Sequence, residues 1–169
     1  MEGKGDVLPI LDRITSNSEE TVGLMRDTVW AINPENDSTD RLIERMRSFG
    51  AEILAAKNIN FRFEAPLLKN KAELSMEQRR NLYLVYKEAI NNIVKHSGAK
   101  NAECVLEKKE NGLTARVTDD GKGFDPSKSF EGHGLKNFLL RSRDSDLSVT
   151  VQSAPGKGAT VEIRLVTLA

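Results

Sequence analysis

Two hydrophobic periods divide the chain. From Val7 to Ile32 the apolar residues Leu8, Leu11, Ile14, Val22, Met25, Val29 and Ile32 recur at threes and fours or their sums, which lines one side of an α-helix. Pro9 is tolerable in the first turn, where its missing N–H would have no helical partner. The helix stops at "NPENDS", because Pro34 disfavours helical backbone at Asn33, and Asp37 or Ser38 offers an N-cap for a second helix. That helix, over 39–57, carries Leu42, Ile43, Met46, Phe49, Ile53 and Leu54 on one side and charge on the other.

The period then shortens to two. "INFRFE" alternates Ile59, Phe61 and Phe63 with polar residues, which predicts a strand. After a loop at Pro66, "SMEQRRNLYLVYKEAINNIVKH" predicts a helix of about six turns. "NAECVLEKKE" and "LTARVTD", separated by Asn-Gly, read as a hairpin on a tight primed turn. A glycine-bearing loop, a helix over 135–143, and the strands "LSVTVQS" and "TVEIRLV" joined by "APGKG" complete the chain. Helices that cluster before and between hairpins predict an α+β fold, a two-layer sandwich of one sheet and one helical face.

Composition narrows the function classes. The chain has 169 residues, 38% of them hydrophobic, enough for one good core and a helical appendage. Lys plus Arg and Asp plus Glu number 25 each, so no broad positive field advertises nucleic acid or anionic lipid. The single Cys104 excludes a disulfide framework and a cysteine zinc cluster, and a reducing, cytosolic setting fits it. His96 and His133 are the two histidines. No apolar run approaches the ~20 residues that cross a membrane, and no signal peptide opens the sequence.

Candidate chemistry lies in two places. On an α-helical projection of the long helix, Glu88, Asn92, Lys95 and His96 share one stripe, opposite Leu82, Tyr86, Ala89, Ile90 and Ile93. A solvated face and a binding face both fit that stripe, although the "NN" pair is a poor choice for a helix interior. The second place is "DDGKGFD", 119–125, which as residues alone suits a hairpin turn, a metal loop or part of a nucleotide pocket. Gly121, Gly123, Gly132 and Gly134 exceed what a turn needs, and the last two directly precede a helix, whose N-terminal N–H groups favour an anion. No Walker loop is present: "SFEGHGLKN" and "PGKGAT" both lack its spacing.

Taken in order, "EAINNIVKH", "DDGKGF", "GHGL" and "GKGAT" resemble the N box and glycine boxes of the ATP-binding domain of sensor histidine kinases. That domain shares its fold, the Bergerat fold, with gyrase, mismatch-repair ATPases and the ninety-kilodalton heat-shock chaperone. Upstream, "MRDTVWAINPENDSTDRLIERMRSFGAEIL" is similar to the second dimerisation helix and linker of the kinase branch that pairs with helix-turn-helix response regulators. The resemblance runs from about residue 21 to 165. It implies a dimerisation and linker part at 1–36 and an ATPase domain at 37–169.

The resemblance also implies roles. Asp119 leads D-x-G-x-G and would accept a hydrogen bond from the adenine amine, a claim for which Asp120 is the rival. Gly121 and Gly123 would leave room for the base, with Phe124 beside them at the start of a lid over 124–133. Asn92 would hold Mg²⁺ through its amide oxygen, while Lys95 and His96 steady phosphate oxygens and Glu88 orients the attacking group or a metal-bound water. Gly132, His133, Gly134 and Leu135 would close over the triphosphate. In "GKGAT", Ala159 replaces the usual threonine, so Thr160 is the candidate substitute for the missing hydroxyl.

A second departure concerns the acceptor. No histidine lies in the helix before the linker, so the chain as given begins past the phosphoacceptor helix, and "MEGKG" has the look of an appended start. The expected function is the ATP-binding catalytic part of a two-component kinase. It would donate the γ-phosphoryl to a histidine on another helix, for relay to a response regulator. The parent protein is expected to be cytoplasmic or membrane-anchored, and this part could form a homodimer through its N-terminal helix. Two alternatives stand beside this: a nucleotide-binding module that acts by lid closure without phosphorylating, and an anti-sigma serine kinase.

Overall fold

The computed structural model describes residues 7–33, 38–66, 74–109, 112–126 and 147–166. Its helices are α1 (Val7–Ile32), α2 (Thr39–Ala55) and α3 (Met76–Asn92), and its strands are β1 (Asn60–Glu64), β2 (Asn101–Lys109), β3 (Gly112–Asp119), β4 (Leu147–Ser153) and β5 (Ala159–Val166). Ser38 caps α2 by accepting from the Arg41 amide at 3.2 Å. Ser75 and Gln78 form a reciprocal capping box at the start of α3, at 2.9 and 3.1 Å. The helix expected over 135–143 lies outside the described residues.

The five strands form one sheet in the order β1-β2-β3-β5-β4. β2 and β3 pair antiparallel from Lys109↔Gly112 to Ala102↔Asp119, so the expected hairpin is present, but Gly112 is already a rung of the ladder and the Asn-Gly pair is not the centre of the turn. β1 instead runs parallel to β2, Asn60 opposite Asn101, with α3 as the crossover between them. Alternation along the strand gives its inner face but not its direction. The parallel pair therefore emerges only from the βαβ connection.

Residues at every second position of the strands meet the helices. Cys104 and Leu106 of β2, Leu113, Ala115 and Val117 of β3, and Ile163 and Leu165 of β5 are buried against Leu42, Met46, Leu54, Leu82, Tyr86 and Ile90. Each fully buried Leu or Ile contributes about 1.5–3 kcal/mol relative to exposure, so this single layer dominates stability. The Tyr86 hydroxyl donates to the Met46 carbonyl at 2.7 Å, which ties α3 to α2 without leaving a polar atom alone in the core. Burial pushes the Cys104 thiol far above its ordinary range. The opposite sheet face is a ladder of charge, in which Glu162 accepts from both Arg116 and Arg164.

α1 is attached differently. Ile10, Leu11, Ile14, Val22, Met25 and Val29 are all 46–64% exposed, so the stripe is present but uncovered along most of its length. The side chains of Leu8 and Ile32 lie outside the described residues. Near its end Asp27, 5% exposed, accepts from Arg45 of α2 at 2.9 Å and from Lys87 of α3 at 2.6 Å. The Arg45 guanidinium also lies 4.4 Å from the Trp30 ring and 5.0 Å from that of Tyr83. Among the described residues no helix is long and apolar enough to cross a membrane.

Candidate functional site

The turn after α3 and the loop after β3 meet, with the Lys122 amide donating to the Ser97 carbonyl at 2.9 Å. Glu88 and Asn92 are half-buried on α3, and Asn92 is its last α-helical residue. Beyond it the chain widens into a π-helical turn, Ile93–Ser97, and Gly98 closes the turn with a left-handed φ of 63°. Lys95 and His96 are exposed on that turn. The α-helical projection applies to Glu88 and Asn92, and Lys95 and His96 follow on the wider turn. The wider turn gives Lys95 and His96 a different angular position.

Asp119 is the last residue of β3 and 7% exposed. Its Oδ1 accepts from the Gly121 amide at 2.8 Å, and among the described residues no Lys or Arg forms an ion pair with it. Burial raises its carboxyl above the ordinary aspartate range, against the opposing pull of the Gly121 amide. Asp120 behaves in the opposite way. Its Oδ1 takes the Lys100 and Asn101 amides at 2.8 and 2.9 Å and its Oδ2 takes the Asn101 side chain at 2.6 Å. Those bonds, the Asn101 amide foremost, hold its carboxyl below the usual range. Asp120 thus staples the start of β2, while Asp119 keeps acceptor capacity at a buried position.

The glycines of the loop are filled by protein. A Cβ at Gly121 would lie 2.5 Å from the Ser97 carbonyl oxygen and 2.8 Å from Asp119 Oδ1. Gly123, at φ 60°, faces the carbonyls of Ala154 and Gly158, and Gly158, at φ 69°, sits on the carbonyl of Asp119. Close backbone approach therefore excludes a side chain at Gly121 and at Gly123. Ser153 locks this arrangement, its hydroxyl accepting from the Phe124 amide at 2.9 Å and donating to the Gly158 carbonyl at 2.7 Å. The sequence marked Gly158 only as part of a glycine box, and Ser153 and Ser97 carried no signal apart from their register.

Thr160 stands apart from Asp119. It pairs with Thr118 across the β3–β5 ladder, hydroxyl to hydroxyl at 3.3 Å, whereas Ala159 is the residue opposite Asp119. Strand alternation turns the two threonines to the other sheet face, so Thr160 does not bring its hydroxyl to the carboxylate. Phe124 is half-buried at the start of the loop. Gly132, His133, Gly134 and Leu135, with the lid from residue 127 onward, lie outside the described residues. Among the described residues no three His, Cys, Asp or Glu side chains are grouped to hold a metal.

Residues 77–168 match the family described as histidine kinase-, DNA gyrase B- and HSP90-like ATPase, more than half of the chain. The chain belongs to this family. Across 160 residues this ATPase-family chain is 26% identical to the sensor histidine kinase ComP of Bacillus subtilis, over 92% of the chain and 20% of that protein. It is 32% identical to the sensor protein VraS of Staphylococcus epidermidis over 85 residues, 50% of the chain and 24% of VraS. It thus spans a minor part of these relatives' length. The same fold occurs in the histidine kinase domain of the blue-light activated histidine kinase of Erythrobacter litoralis EL346, with TM-score 0.65, 15% identity and 96% and 88% of the two chains covered. The histidine kinase AdeS of Acinetobacter baumannii gives TM-score 0.66 at 12% identity, over 100% and 88%. The α+β two-layer sandwich read from the sequence is the fold of this ATPase family.

Proposed function

We propose that this ATPase-family chain is the ATP-binding catalytic part of a two-component sensor histidine kinase, with residues 37–169 as the ATPase domain and 1–36 as dimerisation helix and linker. The observation that carries the reading is Asp119: a buried carboxylate without a cation, at the strand end next to the α3 terminus, in a family-matched domain. A carboxylate there accepts a hydrogen bond from the exocyclic amine of adenine and rejects a base that presents a carbonyl. The Gly121 amide, which donates to Oδ1, and the Ala159 amide hold that carboxylate in place at the end of β3.

The phosphate end falls to α3 and the turn beyond it. Asn92 holds Mg²⁺ through its amide oxygen, and Lys95 and His96 supply donors to phosphate oxygens. A bound Mg²⁺ would supply charge neutralisation for the phosphates at Asn92. Glu88 orients the attacking group or a water. Phosphoryl transfer asks mainly for position and charge neutralisation, so the accepting histidine can belong to another helix. Neither His96 nor His133 lies in α1, so that acceptor is placed on a helix outside these residues, and a response regulator is the final recipient.

Radiolabelled ATP tests the reading. The chain by itself should retain no acid-labile phosphate. A histidine-bearing dimerisation helix, added in trans or fused ahead of α1, should become labelled with wild-type chain and stay unlabelled with Asn92→Ala. Phosphohistidine on the chain itself, or no labelling once the helix is supplied, would overturn it.

A further inference from the structure

Ser97 closes the π-helical turn and is 9% exposed. Its hydroxyl donates to the Ile93 carbonyl at 2.7 Å and accepts from the Ala99 amide at 3.0 Å. Its own carbonyl accepts from the Lys122 amide at 2.9 Å. That carbonyl and the Ser97 Cβ fill the space that a side chain at residue 121 would need, 2.5 and 2.7 Å from its Cβ. One residue therefore joins the turn that carries Lys95 and His96 to the loop after Asp119.

We propose that Ser97 is a positioning residue, whose hydroxyl fixes the register of Lys95 and His96 relative to Asp119; this rests on the nucleotide reading above. A π turn carries one more residue than an α turn. Relaxation to α geometry turns each successive residue after Asn92 further around the helix axis, reaching about 100° by the end of the turn. The Ser97 hydroxyl favours the wider turn because it satisfies a carbonyl at the helix end and the Ala99 amide just past it. Removal of the hydroxyl leaves both groups buried without that partner, and the turn regains bonds only by changing register. Asp119 is held separately, by β3 and its pairing with β5. The base contact should therefore survive a change that misplaces the phosphate donors.

Titration of AMP and of Mg²⁺-ATP, followed by NMR or calorimetry, separates the two ends of the site. Ser97→Ala should weaken Mg²⁺-ATP about tenfold while AMP changes by less than about twofold. Ser97→Thr, which keeps an Oγ able to bond the carbonyl four residues back, should restore the wild-type ratio. If Ser97→Ala does not fold, Ser97→Cys, with its weak thiol donor, takes its place with the same expected split. Equal losses for both ligands, or a Thr variant that behaves like the Ala variant, would overturn the role of Ser97. Wild-type chain that binds neither ligand would instead overturn the nucleotide reading itself.

Discussion

Two buried carboxylates in this molecule have opposite surroundings. Asp27, at the junction of α1, α2 and α3, is 5% exposed and meets the cations of Arg45 and Lys87. Asp119, at the end of β3, is 7% exposed and has a backbone amide where Asp27 has two cations. Desolvation is costly for both, yet only at the junction does the protein supply the compensating charge. A carboxylate that is neutralised from within is part of the framework. One that is buried without a cation costs stability in the free protein, and such a cost is tolerated where a ligand donor completes the site.

The largest expected effect is on the framework side. Asp27→Ala leaves Arg45 and Lys87 facing each other at a largely buried junction and should cost about 3 kcal/mol of stability, read as a lower Tm by calorimetry. ATP affinity should change by less than about twofold, since the nucleotide elements are untouched. An unchanged Tm would remove Asp27 as the anchor of α1.

Asp119→Asn should reverse that profile. Loss of an ionised acceptor from a buried hydrogen bond weakens ATP about ten- to a hundredfold, while Tm holds or rises because a desolvated charge is gone. A fall in Tm equal to that of Asp27→Ala would make the two carboxylates alike and erase the contrast.

A smaller effect distinguishes Asp119 from its neighbour through pH. Burial raises the folded-state pKa of Asp119 above the ordinary 3.8, so the folded chain binds the proton more tightly. Its contribution to stability therefore falls as pH climbs from 3.8 through that raised value. Asp120 is lowered from the same 3.8, so it stabilises above that pH, and the benefit is lost as pH falls through its lowered value. Urea unfolding from about pH 3 to pH 7 should show Asp119→Asn gaining on wild type as pH rises and Asp120→Asn falling behind it. Differences of the same sign would contradict the assignment of the two roles.

Much of this was legible in the residues, and the exceptions share a cause. The α1 stripe, the α2 and α3 faces and the β2–β3 hairpin follow from local periodicity, which needs no knowledge of neighbours; the register of that hairpin, with Gly112 opposite Lys109, does not. The D-x-G-x-G spacing pointed to Asp119 over Asp120, and in the fold Asp119 is buried while Asp120 staples the start of β2. What periodicity cannot supply is what lies across space. Asp27 and Trp30 read as ordinary positions of an amphipathic helix until Arg45 and Lys87 arrive from elsewhere in the chain. The parallel direction of β1, the face of Thr160 and the carbonyls against Gly121 and Gly158 depend on register between distant strands. The π turn was hidden because the projection assumes one helical geometry throughout.

The strand order has a consequence for chain length. β3 lies beside β5, paired from Gly112↔Val166 to Asp119↔Ala159, and β4 joins the sheet only through β5. β4 therefore takes the far edge of the sheet, and no rung of the β3–β5 ladder depends on how many residues separate β3 from β4 in sequence. A change in the number of residues between β3 and β4 leaves the register that puts Ala159 opposite Asp119 where the strands set it.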